Sequence, residues 1–158
     1  PFNTYGPRQS GRAVIPTVIS QIANKNKFIQ IGSVFPTRDF SFIDDTTDGF
    51  LAAIGKKKTI GETINIGSNF EISIGDTIGL ISDLMNSKVP IKTSFERVRP
   101  EKSEVSRLFA CNKKAKLLMD WQPHYSGKEG FKKGLLKTIE WFTKPENITM
   151  IKSNIYNI

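Results

Sequence analysis

The sequence predicts an α/β fold, because two kinds of hydrophobic periodicity alternate along it. Some segments repeat apolar residues at helical spacing, as Val14, Val18 and Ile22 do. Others alternate polar and apolar residues, as 38–44 (RDFSFID) does, which is typical of a half-buried β-strand. With 158 residues, 38% of them hydrophobic, and no internal repeat or linker, the chain can form one domain with its own core.

The first half of the chain contains two predicted helices and two predicted strands. In order, these are helix 13–24, strand 27–32, strand 38–44 and helix 44–55. Pro16 falls in the first turn of its helix, where a missing N–H is tolerated. The second helix has Asp44 or Asp45 as a candidate N-cap and Gly55 as its end.

The second half continues the mixture of strands and helices. In order, the patterns predict strand 61–68, helix 73–86, strand 89–95, helix 113–119 and helix 126–142. Ser73 with Asp76, and Ser126 with Glu129, have the spacing of residues that cap a helix N-terminus. The last stretch, 145–158, has weak periodicity and is predicted to be a tail.

Composition excludes several kinds of site. One cysteine, Cys111, and one histidine, His124, cannot form an intrachain disulfide or a Cys/His zinc site, so we expect no metal, and Cys111 is interpreted as a small buried hydrophobe. We expect a reducing, cytoplasmic setting. No apolar run approaches the roughly 20 residues that cross a bilayer, so no membrane partner is predicted.

The net charge of +8 is compatible with an anionic partner: nucleic acid, an acidic membrane surface or a phosphorylated small molecule. A solvated basic face is the simpler alternative. The lysines are spread in short groups, and aromatic residues are not interleaved with them as a base-stacking surface requires. A nucleic-acid partner is therefore disfavoured.

Six segments carry a resemblance to a known family, in the family's order and at about its spacing. They are FNTYGPRQ (2–9), VIPTVISQI (14–22), RDFSFIDDTTDGF (38–50), GETINIGS (61–68), RPEKSEV (99–105) followed by Arg107, and WQP (121–123) before GLLKTIEWF (134–142). Together they resemble the C-terminal half of the extended short-chain dehydrogenases/reductases, and more narrowly the nucleotide-sugar 4,6-dehydratases and 4-epimerases. NTYGPRQS (3–10) and SEVSRL (103–108) are most similar to dehydratases of nucleotide-activated N-acetylglucosamine in legionaminic-type pathways.

The resemblance implies the C-terminal part of a Rossmann-type fold. Residues 1–144 would form the end of the parallel sheet with a small substrate-binding subdomain, and 145–158 the tail. The glycine-rich GxxGxxG turn and the Tyr-x-x-x-Lys pair of the family do not occur in the sequence. The chain is thus expected to be a fragment without catalytic residues, with NAD bound mainly by the N-terminal half, and the intact enzyme is expected to be a homodimer.

The intact lyase would move hydride from sugar C4 to NAD, eliminate water across C5 and C6, and return the hydride to C6. Two alternatives remain open at this point. One is a 4-epimerase fragment, which shares the oxidation and the cofactor. The other is a noncatalytic nucleotide-binding or interaction module.

Family positions that bind the nucleoside diphosphate sugar match nine residues here. They are Asn3, Val14, Ile29, Ile31, Arg38, Asn65, Arg99, Glu101 and Arg107. Thr4 matches a position that faces the cofactor. Guanidinium groups bind phosphate oxygens in bidentate geometry, and an amide side chain both donates and accepts hydrogen bonds.

Each assignment has a structural alternative. Arg38 could pair with Asp39 or Asp44 on the surface, and Arg107 with Glu104 at helical spacing. Asn3 could form a turn, Asn65 could face solvent, and the apolar positions could be ordinary core.

Overall fold

A computed structural model of the protein describes residues 1–94 and 105–148. The strands in this part are β1 (Asn3–Tyr5), β2 (Ile29–Ile31), β3 (Thr37–Phe42), β4 (Glu71–Ser73) and β5 (Ile91–Thr93). The helices are α1 (Val14–Ala23), α2 (Ile43–Ala53), α3 (Ile74–Leu84), α4 (Lys113–Met119), α5 (Gly127–Phe142) and the short α6 (Pro145–Ile148). A 3₁₀ turn covers Lys57–Thr59. The predicted α/β fold is confirmed.

β3 is the central strand of a three-stranded sheet ordered β1-β3-β4. It is parallel to β1, with Asn3 opposite Phe40, and antiparallel to β4, with Arg38 opposite Ile72. At its first residue, Thr37, β3 also forms a parallel bridge to Arg107. β2 and β5 form a separate parallel pair. β4 and the segment around Arg107 therefore meet at the beginning of β3, whereas β1 pairs with its second half.

The main core lies between the three-stranded sheet and helices α1, α3 and α5. Tyr5 packs its ring edge-on against Phe42 and Phe131, and its hydroxyl donates to the Phe131 carbonyl (3.1 Å). A Cβ at position 134 would clash with the Tyr5 hydroxyl, so Gly134 of α5 makes room for this ring. A second, smaller cluster lies between α2 and α4 and contains Ile66, Ala115, Met119 and Trp121.

Five predicted helices occur close to their expected positions, but two capping predictions are wrong. Asp44 and Asp45 do not cap α2: the N-cap is Phe42, without a side-chain capping bond. Ser126 is the N-cap of α5 but makes no side-chain capping bond, and its hydroxyl instead donates to the Ser68 carbonyl (2.6 Å). The cap of α3 is confirmed, since Ser73 Oγ accepts the Asp76 N–H at 2.9 Å.

The predicted strand over 61–68 is also wrong. Residues 62–68 are not part of either sheet, although the Phe2 N–H donates to the Ile66 carbonyl (2.8 Å). The carbonyls of Gly67 and Ser68 instead accept hydrogen bonds from the side chains of Asn112 and Ser126. Side-chain donors thus take the place of a neighbouring strand.

Two further expectations concern the second half of the chain. Cys111 is exposed, so its interpretation as a buried hydrophobe is wrong. In the predicted tail, Pro145–Ile148 forms α6 and Asn147 Nδ2 donates to the Trp141 carbonyl (2.9 Å). The remainder of the tail, 149–158, lies outside the described residues.

Candidate functional site

The carboxylate of Asp39 is completely buried in the middle of β3. Its Oδ1 accepts both the N–H and the hydroxyl of Ser68, each at 2.7 Å, and its Oδ2 accepts the Ala110 N–H at 3.1 Å. Its backbone carbonyl accepts Asn3 Nδ2 at 3.2 Å. Burying a carboxylate is costly unless hydrogen bonds replace water, and these three donors provide that replacement. Asp39 therefore joins β3 to two segments that are distant in sequence.

Arg38 lies next to Asp39, at the start of β3. Its Nη1 donates to the carbonyls of Thr37 (2.8 Å) and Val105 (2.7 Å). The guanidinium is thereby held where β3 meets segment 105–108, which is anchored by bonds from the Thr37 N–H to the Ser106 carbonyl and from the Leu108 N–H to the Thr37 carbonyl.

Arg107 lies on the same segment and forms a bidentate ion pair with Glu71 of β4. Its Nε is 2.9 Å from Glu71 Oε2 and its Nη2 is 2.6 Å from Oε1. The Thr37 hydroxyl also donates to Glu71 Oε2 (3.0 Å). Hydrogen bonding to Arg107 lowers the pKa of Glu71 and raises the pKa of Arg107. The Arg107 side chain is 65% exposed, so this pair lies at the surface. The alternative partner Glu104 lies outside the described residues.

Asn3 and Thr4 are consecutive residues of β1. Asn3 donates to β3 through the Asp39 carbonyl. The Thr4 hydroxyl contacts the Phe2 carbonyl and the Thr46 hydroxyl, both at 3.1 Å, and the Thr4 carbonyl accepts Gln9 Nε2 at 2.7 Å.

Two buried polar atoms lie around Thr4 without a hydrogen-bond partner among residues 1–94 and 105–148. They are Gln9 Oε1 and the hydroxyl of Ser41, the residue opposite Thr4 in the sheet. The surroundings of Thr4 therefore retain unused hydrogen-bonding capacity.

Asn65 is exposed on the non-strand segment 62–68. Its Nδ2 lies 3.5 Å from the Cys111 carbonyl, the outer limit of a hydrogen bond, and Cys111 directly follows Ala110. Asn65 thus lies beside the same stretch of chain that Asp39 holds.

The apolar candidates lie elsewhere. Ile29 and Ile31 are buried in the main core, and Val14 at the start of α1 packs against it. The backbone between the two isoleucines is also engaged: the Gln30 N–H donates to Gln21 Oε1 (2.8 Å) and the Gln30 carbonyl accepts Gln21 Nε2 (3.1 Å). The structure does not bring these three residues to the Asp39 region.

Arg99 and Glu101, the last two candidates, lie outside the described residues. In the part of the chain that the structure describes, no three His, Cys, Asp or Glu side chains are grouped so that they could hold a metal ion. Across 1–94 and 105–148, none of the helices has the length and apolar character required to span a membrane.

The sequence indicates Asp39 only as a possible surface partner of Arg38 and does not predict its buried role. The available signal is its position: an acidic residue in an alternating strand, immediately before Phe40 and two residues before the buried Ser41. Glu71 was missed because it lies 36 residues from Arg107 in sequence.

Comparison with known proteins identifies the family of the chain. Residues 1–134 match the family described as GDP-mannose 4,6 dehydratase. The human dTDP-D-glucose 4,6-dehydratase is 35% identical over 144 residues, which cover 89% of this chain and 39% of that protein.

Two solved structures are similar in fold and sequence. An epimerase of Methanothermobacter thermautotrophicus has a TM-score of 0.80 and 32% identity, covering 96% of this chain and 43% of its own. The UDP-glucuronic acid 4-epimerase of Bacillus cereus, solved with UDP-glucuronic acid and NAD, has a TM-score of 0.76 and 30% identity, covering 89% and 42%.

The chain thus spans less than half the length of each of these three proteins. The match covers the segments that carry Asn3, Arg38, Asn65 and Arg107. The chain belongs to the epimerase/dehydratase family of nucleotide-sugar-modifying enzymes, within the extended short-chain dehydrogenases/reductases.

Proposed function

We propose that this chain binds the nucleoside diphosphate of a nucleotide sugar, as the C-terminal part of an NAD-dependent nucleotide-sugar 4,6-dehydratase. The observation that supports this most strongly is that Arg38 and Arg107 occupy neighbouring backbone positions at the beginning of β3. Thr37 links them: it precedes Arg38 in the strand and forms the parallel bridge to Arg107.

The chemistry of this corner suits a diphosphate. Guanidinium groups bind phosphate oxygens through paired N–H donors, and a charged hydrogen bond contributes more than a neutral one. In this structure the paired donors of Arg107 are used by Glu71, so Arg107 would bind a phosphate by exchanging that carboxylate for it. The net charge of +8 adds a long-range attraction for an anion. Asn3 and Asn65 supply amide donors on the two neighbouring segments.

The other candidates rest on the family resemblance. Arg99 is proposed to hold the ribose or phosphate, and Glu101 the ribose. Val14, Ile29 and Ile31 are proposed to line the nucleotide only through accessible backbone atoms. Both isoleucine side chains are buried in the core.

The hydride-transfer chemistry of such an enzyme would be supplied by bound NAD. The residues around Thr4 fit a polar contact to a cofactor, because the Ser41 hydroxyl and Gln9 Oε1 are buried with unused hydrogen-bonding capacity. They do not form a pyrophosphate site, since the sequence contains no GxxGxxG turn. Thr4 is therefore proposed as a peripheral contact, with most of the cofactor held by other parts of the protein.

We propose no catalytic residue in this chain. Tyr5 is unsuited to proton transfer, because burial raises the pKa of its phenol far above the usual range and its hydroxyl is used by the Phe131 carbonyl. In this proposal, the residues of the chain bind and orient the substrate.

A 4-epimerase is the second candidate. It is favoured by the two similar solved structures, which are both epimerases. The description of the matched family and the resemblance of 3–10 and 103–108 favour the dehydratase.

Calorimetric titration of the chain with UDP, GDP and dTDP tests the binding function. The chain is titrated by itself and again after the N-terminal part of a longer relative has been added. We expect one nucleotide to bind in at least one arm, with little affinity for an arbitrary oligonucleotide. Absence of nucleotide binding in both arms would contradict the proposal, and steeply salt-dependent oligonucleotide binding would favour a nucleic-acid partner.

A further inference from the structure

We propose that Asp39 is a positioning residue for the nucleoside diphosphate: it fixes the segments that carry the binding side chains without contacting the ligand. This inference rests on the proposed function and adds a residue to it. The carboxylate cannot reach a ligand in this structure, because it is completely buried and surrounded by its own donors.

Two binding candidates are connected to Asp39 through β3 itself. Asn3 donates its Nδ2 directly to the Asp39 carbonyl. Arg38 precedes Asp39, so a shift of this residue along the strand would move the Arg38 backbone as well.

Two more candidates are connected through the carboxylate. Asn65 lies three residues before Ser68, which gives both its N–H and its hydroxyl to Asp39. Arg107 lies three residues before Ala110, whose N–H also donates to Asp39. One buried side chain therefore joins two segments that share no strand pairing with each other, and the side chains of Asn112 and Asn65 add direct bonds between them.

The packing around the carboxylate leaves little space for an alternative arrangement. A Cβ at position 67 would clash with Ala110 and lie 3.4 Å from Asp39 Oδ1. Gly67 thus lets the two segments approach each other over Asp39. An asparagine at position 39 would keep the shape but aim an NH₂ group at an N–H donor, so one of the two segments would lose its bond.

Asp45 provides a matched control within the same chain. It is 1% exposed, and it accepts the N–H groups of His124 (2.8 Å) and Tyr125 (2.9 Å). Like Asp39, it is a buried carboxylate that accepts backbone N–H groups, but the segment that it holds, 124–125, carries none of the predicted binding residues. Asp45→Asn should cost stability without disturbing the diphosphate site.

The test compares Asp39→Asn, Asp45→Asn and the milder Ser68→Ala. Nucleotide affinity is measured by the titration above, at a temperature at which circular dichroism shows every variant folded. We expect Asp39→Asn to weaken affinity about tenfold or more, and Asp45→Asn less than about twofold, although both lower Tm. Ser68→Ala removes one of three donors and should be intermediate in affinity, with a small change in Tm.

A spectroscopic readout separates positioning from general destabilisation. Asp39→Asn should shift the Nε–H NMR signals of Arg38 and Arg107, and Asp45→Asn should leave them unchanged. If Asp39→Asn does not fold, Ser68→Ala is compared with Asp45→Asn in its place.

Equal affinity losses in the two aspartate variants, or an Asp39→Asn or Ser68→Ala affinity within about twofold of wild type, would overturn the positioning role. Failure of the wild-type chain to bind any nucleotide would instead contradict the proposed function itself, so the two failures are distinguishable.

Discussion

Asp39 and Asp45 lie six residues apart, one in β3 and the other in the first turn of α2, and both bury a carboxylate that accepts backbone N–H groups. Their surroundings differ. Asp39 lies beside the beginning of β3, where Arg38 and Arg107 make polar contacts. Asp45 bonds the residues that precede α5, which pack on the aromatic core. The same kind of buried group therefore stabilises the proposed binding edge in one region and a packed interior in the other.

The difference between the two regions is also one of side-chain type. Around Asp45 lie Tyr125, Phe42 and Tyr5, and burial raises the pKa of the Asp45 carboxyl despite its two backbone hydrogen bonds. Around Asp39 the neighbours are Ser68 and Asn3, which satisfy it with polar atoms. The region around Asp45, called the packed side below, is held together mainly by packed rings. The region around Asp39, called the binding side, is held together mainly by hydrogen bonds.

The largest expected effect is a loss of stability when an aromatic side chain of the packed side is truncated. Phe131 is 1% exposed, contacts the rings of Tyr5 and Phe40, and offers its carbonyl to the Tyr5 hydroxyl. Phe131→Ala should lower the free energy of unfolding by about 3–5 kcal/mol, because the cavity lies where the sheet meets α5. Urea unfolding monitored by circular dichroism measures the change.

The matched control is Phe50→Ala on α2, since Phe50 is 55% exposed. It should change the free energy of unfolding by no more than about 0.5 kcal/mol. Equal losses in the two variants would show that the aromatic cluster does not carry the stability of this region.

The next largest expected effect is a loss of nucleotide affinity on the binding side. Arg38→Ala should weaken nucleotide affinity by about 1.5–3 kcal/mol, the usual contribution of a hydrogen bond to a charged group, with a much smaller change in Tm. Calorimetric titration measures the dissociation constant. Arg12→Ala is the control, because Arg12 is an exposed arginine outside the region where the half-buried Arg38 lies. An unchanged dissociation constant for Arg38→Ala would remove Arg38 from the site.

Local signals in the sequence were sufficient for elements that depend on nearby residues. The apolar spacing of 13–24 predicted α1, and Ser73 with Asp76, three residues apart, predicted the start of α3. Predictions failed where a side chain bonds far along the chain. Asp45 lies inside the first turn of α2 and accepts the His124 N–H from 79 residues away, and the Ser126 hydroxyl donates to the Ser68 carbonyl 58 residues away.

The same limit applies to the candidate site. The family resemblance indicated Asn3, Arg38 and Arg107, but it gave no partner for any of them. Asp39 depends on donors 29 and 71 residues away, which only the folded chain brings together. The strand predicted over 61–68 failed for a related reason, because side chains rather than a neighbouring strand bind its carbonyls.

The smallest expected effect is a difference in pH dependence between the two regions. The folded-state pKa of Asp45 is raised from its ordinary value of 3.8, mainly by burial, so the native state binds more protons than the unfolded state above that value. The stability contributed by Asp45 is therefore fully present below pH 3.8 and is lost as pH rises through the higher folded pKa.

Glu71 on the binding side should show the opposite slope. Hydrogen bonding to Arg107 lowers its folded-state pKa from the ordinary value of 4.5, so its contribution is present above that pH and is lost as pH falls through the lower folded pKa. The contribution should be small and should weaken with added salt, because the ion pair is exposed to solvent.

Urea unfolding of wild type, Asp45→Asn and Glu71→Gln across the acidic range measures both slopes. As pH rises, the stability of wild type relative to Asp45→Asn should fall, and its stability relative to Glu71→Gln should rise. Slopes of the same sign would mean that the two regions are not electrostatically distinct. A rising slope for Asp45 would show that its hydrogen bonds to His124 and Tyr125 outweigh the cost of its burial, which would make the packed side resemble the binding side.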